Sequence, residues 1–141
     1  MTRRQRTFGG LALILILCPG CTSGQKPMGE YTPEEEAILQ VGKAYLEASR
    51  ALKRGPTSIK ELNAYLKKHG DPDKLLISPN DGQAYRINWG VTPMRPSPTA
   101  QNKTFLVYEQ AGKNGKRYTL DFMLKVRHLS DEEFEAMAGS K

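Results

Sequence analysis

Side chains suited to chemistry are scarce in this chain. Its 141 residues include two cysteines, two histidines and one tryptophan. Both thiols, Cys18 and Cys21, fall near the start, so the long remainder has none for a disulfide framework or a cysteine zinc site. No Gly-x-Ser-x-Gly elbow, glycine-rich phosphate loop or EF-hand pattern occurs, and no internal repeat is visible. The longest apolar run, from Phe8 to Cys18, is about half of the roughly 20 residues a bilayer-spanning helix needs. With 9 Pro and 13 Gly, the chain stays well below the roughly 25 to 30% Pro plus Gly of low-complexity sequences, which excludes wholesale disorder. Its length fits one domain and excludes most multidomain enzymes.

Before Glu30 there is no acid, and Arg3, Arg4 and Arg6 lead into Leu11 to Leu17. A basic start followed by a short apolar stretch reads as a secretory signal peptide over residues 1–20. Leu17-Cys18-Pro19-Gly20-Cys21 follows, and it resembles the lipobox of bacterial lipoproteins at its two most restrictive positions, Gly20 and Cys21. Cys18 and Pro19 stand where that family usually carries Leu and Ala or Ser. The resemblance implies cleavage between Gly20 and Cys21 and lipidation of Cys21. A small residue admits the peptidase, and the thiol is the side chain nucleophilic enough to form a thioether. The alternatives are a Cys-x-x-Cys redox pair, which lacks the βαβ context it needs, and a plain leader. Loss of residues 1–20 removes three arginines and takes the formal charge from +6 to +3, so much of the basicity is a transport signal. Thr22, in place of Asp, resembles the pattern that permits sorting to an outer membrane.

Residues 21–32 then read as the lipidated Cys and a flexible tether, and 33–138 as a single globular domain. Thr32-Pro33-Glu34-Glu35 opens a helix whose apolar stripe runs through Ile38, Val41, Tyr45, Ala48 and Leu52 to a stop at Gly55-Pro56. Ser58 and Glu61 have the spacing of a second capping box, ahead of a stripe of Ile59, Leu62, Tyr65 and Leu66. After the turn signal Ser78-Pro79-Asn80-Asp81-Gly82 the period changes to two. Strands are expected at Tyr85 to Trp89 and Thr104 to Glu109, with a proline-rich loop at 90–103 between them. A third strand follows in which Tyr118, Leu120, Phe122, Leu124 and Val126 face the core while Arg117, Thr119, Asp121, Lys125 and Arg127 face solvent. On that reading Leu120→Asp unfolds the domain and Thr119→Asp is tolerated. Ser130 caps a short final helix carrying Phe134 and Met137. The fold class is α+β: two N-terminal helices packed on a small antiparallel sheet of about three strands, with a short C-terminal helix.

This order of elements resembles the globular part of type II secretion pseudopilins over about residues 34–126. Arg54-Gly55-Pro56-Thr57-Ser58 is similar to that family's Gly-Tyr-Pro-type segment. Ser78 to Tyr85 is similar to its Asp-Pro-Trp-Gly-x-Pro-Tyr motif, with one extra residue, no Trp, and Ala84 in place of a Pro. Thr7-Phe8-Gly9-Gly10 lacks the Gly and Glu of the pseudopilin leader. The resemblance therefore implies a shared domain shape without filament assembly.

No residue set stands out as catalytic, and no cofactor or metal is implied. His69 ends a helix and His128 ends a strand, and both read as structural or solvated. Asp71, Asp73, Ser78, Asn80 and Asp81 are oxygen-rich, and turn and cap use explains them better than calcium. Arg86, Arg117, Lys125 and Arg127 form a candidate anion-contact face on the polar side of the sheet. Nucleic-acid binding would want exposed aromatics beside these charges, whereas the aromatics here fall on the apolar side. The sequence thus reads as a lipid-anchored, non-enzymatic binding or accessory module facing the periplasm of a bacterial envelope. It would hold the membrane through its lipid and meet an envelope protein or an anionic polymer. The alternative is an envelope enzyme with its site near the 78–82 turn and the 90–103 loop.

Overall fold

In this computed structural model, residues 29–93 and 105–139 are described. The leader, Gly20, Cys21, most of the tether and the loop from 94 to 104 lie outside them. Helix α1 spans Pro33–Leu52, α2 Ile59–His69, α3 Pro72–Leu75 and α4 Asp131–Ala138; strands β1 to β4 are Arg86–Ile87, Val107–Tyr108, Lys116–Leu120 and Val126–Ser130. The strands form one antiparallel sheet in the order β1-β2-β3-β4. The α+β arrangement expected from the residue pattern is the one observed.

Local chemistry sets the helix starts. Thr32 Oγ1 accepts from Glu35 N–H while Glu35 returns a carboxylate oxygen to Thr32 N–H, a reciprocal cap repeated by Ser130 and Glu133 at α4. The expected Ser58–Glu61 box does not form. Glu61 instead accepts from Thr57 N–H at 2.9 Å and from Arg54 Nη2 at 2.7 Å, because the Arg54 cation offers a stronger partner than the neutral Ser58 N–H of a box.

The stripe of α1 lies on the sheet. Ile38, Val41, Ala44, Tyr45 and Ala48 are fully buried with Leu62 and Leu66 of α2 and with Val107 and Leu120 of the sheet. Gly42 makes that approach close: a Cβ there would stand 2.2 Å from Leu120 Cδ2. Tyr45 Oη donates to the Asn88 carbonyl at 3.1 Å and accepts from Val91 N–H at 3.2 Å, which ties α1 to the segment after β1. Burial pushes its phenol up to about 12. Beside it Gly55 packs on the backbone of Val91, and Gly90 N–H donates to Pro56 O at 2.8 Å.

Two strand expectations change. The third strand is not continuous from Tyr118 to Val126; it ends at Leu120 and the chain reverses through Asp121–Lys125 into β4, giving four strands. Asp121 Oδ1 accepts from Met123 N–H and Lys125 N–H, both at 2.9 Å, and Leu124 takes a left-handed φ of 58°. The apolar alternation survives the reversal because Leu124 folds back onto the core side, where it is buried close to Gly42. Nor is the far face of the sheet solvent-exposed. α4 lies against it, with Phe134 stacked on Phe105 at 5.1 Å and tilted on Tyr108 at 5.3 Å, and Thr119 is fully buried.

Candidate functional site

Of the oxygen-rich residues, Ser78, Asn80 and Asp81 belong to the turn between α3 and β1, and every one of them is engaged with the protein itself. Glu109, which directly follows β2, is completely buried. Ser78 Oγ donates to its Oε1, while Asn80 Nδ2 and the Tyr118 N–H donate to its Oε2 at 2.9 and 2.7 Å. Asp81 accepts from Gln83 N–H at 3.0 Å and reaches the β2–β3 turn through Ala111 N–H at 3.2 Å and Gly112 N–H at 3.0 Å. Three donors therefore converge on the buried Glu109 carboxyl, as the desolvation cost of burial requires, and three more hold the half-buried Asp81. The hydroxyl of Tyr85, buried close to Ser78 and Glu109, makes no hydrogen bond of good geometry among the described residues. Burial raises its phenol far above the usual value; Ser78 opposes this and the charge of Glu109 adds to it. Such a group stays protonated and is unsuited to act as a base. Sequence reasoning read these residues as turn and cap chemistry, with an enzyme site near this turn as the alternative, and missed Glu109, which reads locally as the polar end of a strand.

The residues of the candidate anion-contact face separate. Arg86, Tyr108, Thr119 and Arg127 are successive cross-strand partners, so Arg86 and Arg127 end one row across the sheet, and Arg117 shares their face two residues from Thr119. α4 sits over the middle of that row. Arg117 is turned inward, with Nη2 2.6 Å from Asp131 Oδ1, Nη1 2.9 Å from Gln110 O and its guanidinium 4.2 Å from the Phe134 ring centre. Arg127 lies 3.6 Å from Asp121, and Lys125 occupies the exposed β3–β4 turn. Arg86 is exposed and has no ion pair among the described residues. Its neighbours are different: Ile59, Leu76, Ala84, Tyr85, Ile87 and Trp89 line with it an open groove of about 230 Å³ along the outer side of β1. Ile59 and Ile77, at or next to this groove, are large apolar residues left 40% and 42% exposed.

The two histidines are placed apart from the groove's lining. His69 Nε2 lies 3.0 Å from Glu47 Oε1 and joins α2 to α1, and His128 stacks on Tyr118 at 4.2 Å. Glu47 is held below the usual carboxyl range: desolvation, the largest single influence, opposes this, and the hydrogen bonds from His69 and Lys68, with the charges of both, together outweigh it. Among the described residues no group of His, Cys, Asp and Glu could hold a metal ion, and no helix is long and apolar enough to cross a membrane. No known family matches the chain, and neither a curated protein nor a solved structure does so.

Proposed function

We propose that this chain is a lipid-anchored, non-enzymatic module of a bacterial envelope that binds a protein partner through the groove beside β1. Anchoring rests on the Gly20-Cys21 pair behind a short apolar segment, since a diacylated cysteine supplies the two chains that stable membrane attachment needs. The observation that carries the binding reading is the groove itself: exposed Ile59 of α2, half-buried Leu76 after α3, and half-buried Ile87 and Trp89 along β1 and its end border one open cleft at the sheet edge, with the Arg86 cation at its rim. The internal use of Ser78, Asn80, Asp81 and Glu109 favours it over the enzyme reading, because the polar groups of the 78–82 turn brace the fold. The likeness to pseudopilin domains enters as a proposal about shape. Both similar segments, at 54–58 and 78–85, are corners that fasten the helices to the sheet.

Two measurements test the proposal. Cells fed an alkynyl fatty acid should label the wild-type chain and not Cys21→Ser, and label retained in the variant rejects the anchor. A photo-crosslinking side chain at position 59 should trap a partner in intact cells where one at the exposed Lys67 does not; equal trapping at both rejects the groove.

A further inference from the structure

Backbone geometry gives the groove a more specific meaning. Asn88 N–H donates to Leu106 O at 2.9 Å, so Asn88 turns its N–H toward β2, while its carbonyl accepts from Tyr45 Oη and Leu106 N–H goes on to Leu120 O. Along an antiparallel strand inward- and outward-facing residues alternate, so the N–H and C=O of Ile87, opposite Val107, point away from β2. Tyr85 has the same outward parity, and its N–H is taken by Leu76 O at 2.9 Å, within the short pairing that also joins Ile77 to Ala84. Going back along the chain from Leu76, the backbone leaves this line into α3. The next outward-facing groups, at Ile87, have no hydrogen-bond partner among the described residues. They lie on the strand that walls the groove, in line with a segment that has already begun to pair.

We infer that this groove accepts an extended polypeptide segment, added to the sheet at the Ile87 edge, in which apolar residues alternate with acidic ones. The inference rests on the binding-module reading and specifies its partner. Side chains of an added strand alternate between the two faces of the sheet. Those on the α1 side meet Ile59, Leu76 and Trp89; those between them fall on the side of Arg86, the exposed cation of the groove. Lys60, exposed and next to Ile59, and the chain's net positive charge favour the same sign of partner. Main-chain hydrogen bonds would supply affinity and the alternating pockets selectivity, as in other strand-addition sites.

The test uses the full-length chain in detergent and the end-blocked heptapeptide Thr-Val-Glu-Val-Glu-Val-Thr. It should bind about five- to tenfold tighter than its Glu-to-Lys counterpart and slow hydrogen exchange at the Ile87 amide. Arg86→Glu, at an exposed position, should reverse the preference between the two peptides. Methylating alternate backbone nitrogens of the acidic peptide should abolish binding. Equal affinity for both peptides, undiminished binding of the methylated form, or an unchanged Ile87 amide overturns the inference. Concentration-dependent protection of Ile87 without peptide overturns it too, since the edge would then pair with a second copy. If no peptide binds while crosslinking from position 59 is still abolished by Trp89→Ala, strand addition fails and the binding module stands; loss of both results fells both.

Discussion

Ser78 Oγ donates a hydrogen bond to Glu109 Oε1 across 31 residues of sequence, at a fully buried point where the turn before β1 meets the end of β2. The turn is thereby fixed to the strand beside which it runs. Asp81 and Gln110 add bonds on the outer side, Gln110 Nε2 donating to Ala84 O at 2.7 Å. The consequence reaches the groove. Leu76, Ala84 and Tyr85, part of its lining, are held in place by a network internal to the chain, so the shape of the groove is set by the fold itself.

Glu109→Gln should therefore destabilise the domain more than Ser78→Ala. The amide puts a donor among three donors, and bonds to a charged acceptor are worth about 1.5 to 3 kcal/mol each against about 1 for a neutral pair. Urea unfolding should show a loss of roughly 3 kcal/mol for Glu109→Gln and about half that for Ser78→Ala. Equal losses would mean that the carboxylate is not the centre of the network.

Close backbone approach predicts a second ordering. A Cβ at Gly55 would stand 2.1 Å from the Val91 carbonyl oxygen, whereas at Gly42 it would meet the mobile end of Leu120 at 2.2 Å. Side chains yield more readily than backbone. Gly42→Ala should cost about 1 to 2 kcal/mol, within the usual range for overpacking, and Gly55→Ala more than about 3. Thermal unfolding of the two variants checks this, and a milder effect at Gly55 contradicts the packing described.

A pH dependence follows from Glu61. The hydrogen bond from Arg54, with a further one from Thr57 N–H, lowers its carboxyl from 4.5 to about 2. A depressed folded value means that the contribution is complete above the unfolded pKa and disappears as pH falls from about 4.5 to about 2. Since the pair is solvent-exposed, the effect should be modest. The melting temperature of Glu61→Gln should fall less steeply than that of the wild type across this window, and the carboxyl carbon of Glu61 should titrate near its lower end. Parallel curves would show that the Arg54 pair contributes nothing.

What the sequence reveals and what it hides divide along the range of the interactions. Thr32 with Glu35 and Ser130 with Glu133 lie three residues apart, and the stripe of α1 repeats along one element, so both can be read locally. Asp121 acts locally too, and its position in an apolar alternation was the available sign of a turn, masked because Phe122 and Leu124 keep the period of two. Glu109 and Thr119 are different. Their burial depends on the 78–82 turn and on α4, brought over them by the fold, and a polar residue in a strand pattern reads as solvent-facing until that cover is known. Ile59 errs in the opposite sense: it continues the apolar stripe of α2 but stands at the open end, and from that mismatch the groove arises.

The cover provided by α4 alters what substitutions on the sheet should do. With one face against α1 alone, Leu120→Asp would unfold the domain and Thr119→Asp would be harmless. Thr119 is instead fully buried, with its hydroxyl donating to Arg127 O at 3.4 Å, so a carboxylate there would be desolvated without a matching donor. Leu120→Asp should fail to fold, and Thr119→Asp should lose about 3 kcal/mol, the cost of displacing α4 from its face. Phe134→Ala separates this from a general intolerance of the strand, because it strips Phe105, Tyr108 and Arg117 of their common neighbour and leaves the α1 side intact. It should cost about 3 kcal/mol, the low end for a buried phenylalanine, since the α4 cluster is small. In the Phe134→Ala background Thr119→Asp should then add little to the loss, as uncovering the face restores water to position 119. Additive losses in that double variant, measured by urea unfolding at a temperature where Phe134→Ala is still folded, would show that Thr119 is buried by something other than α4.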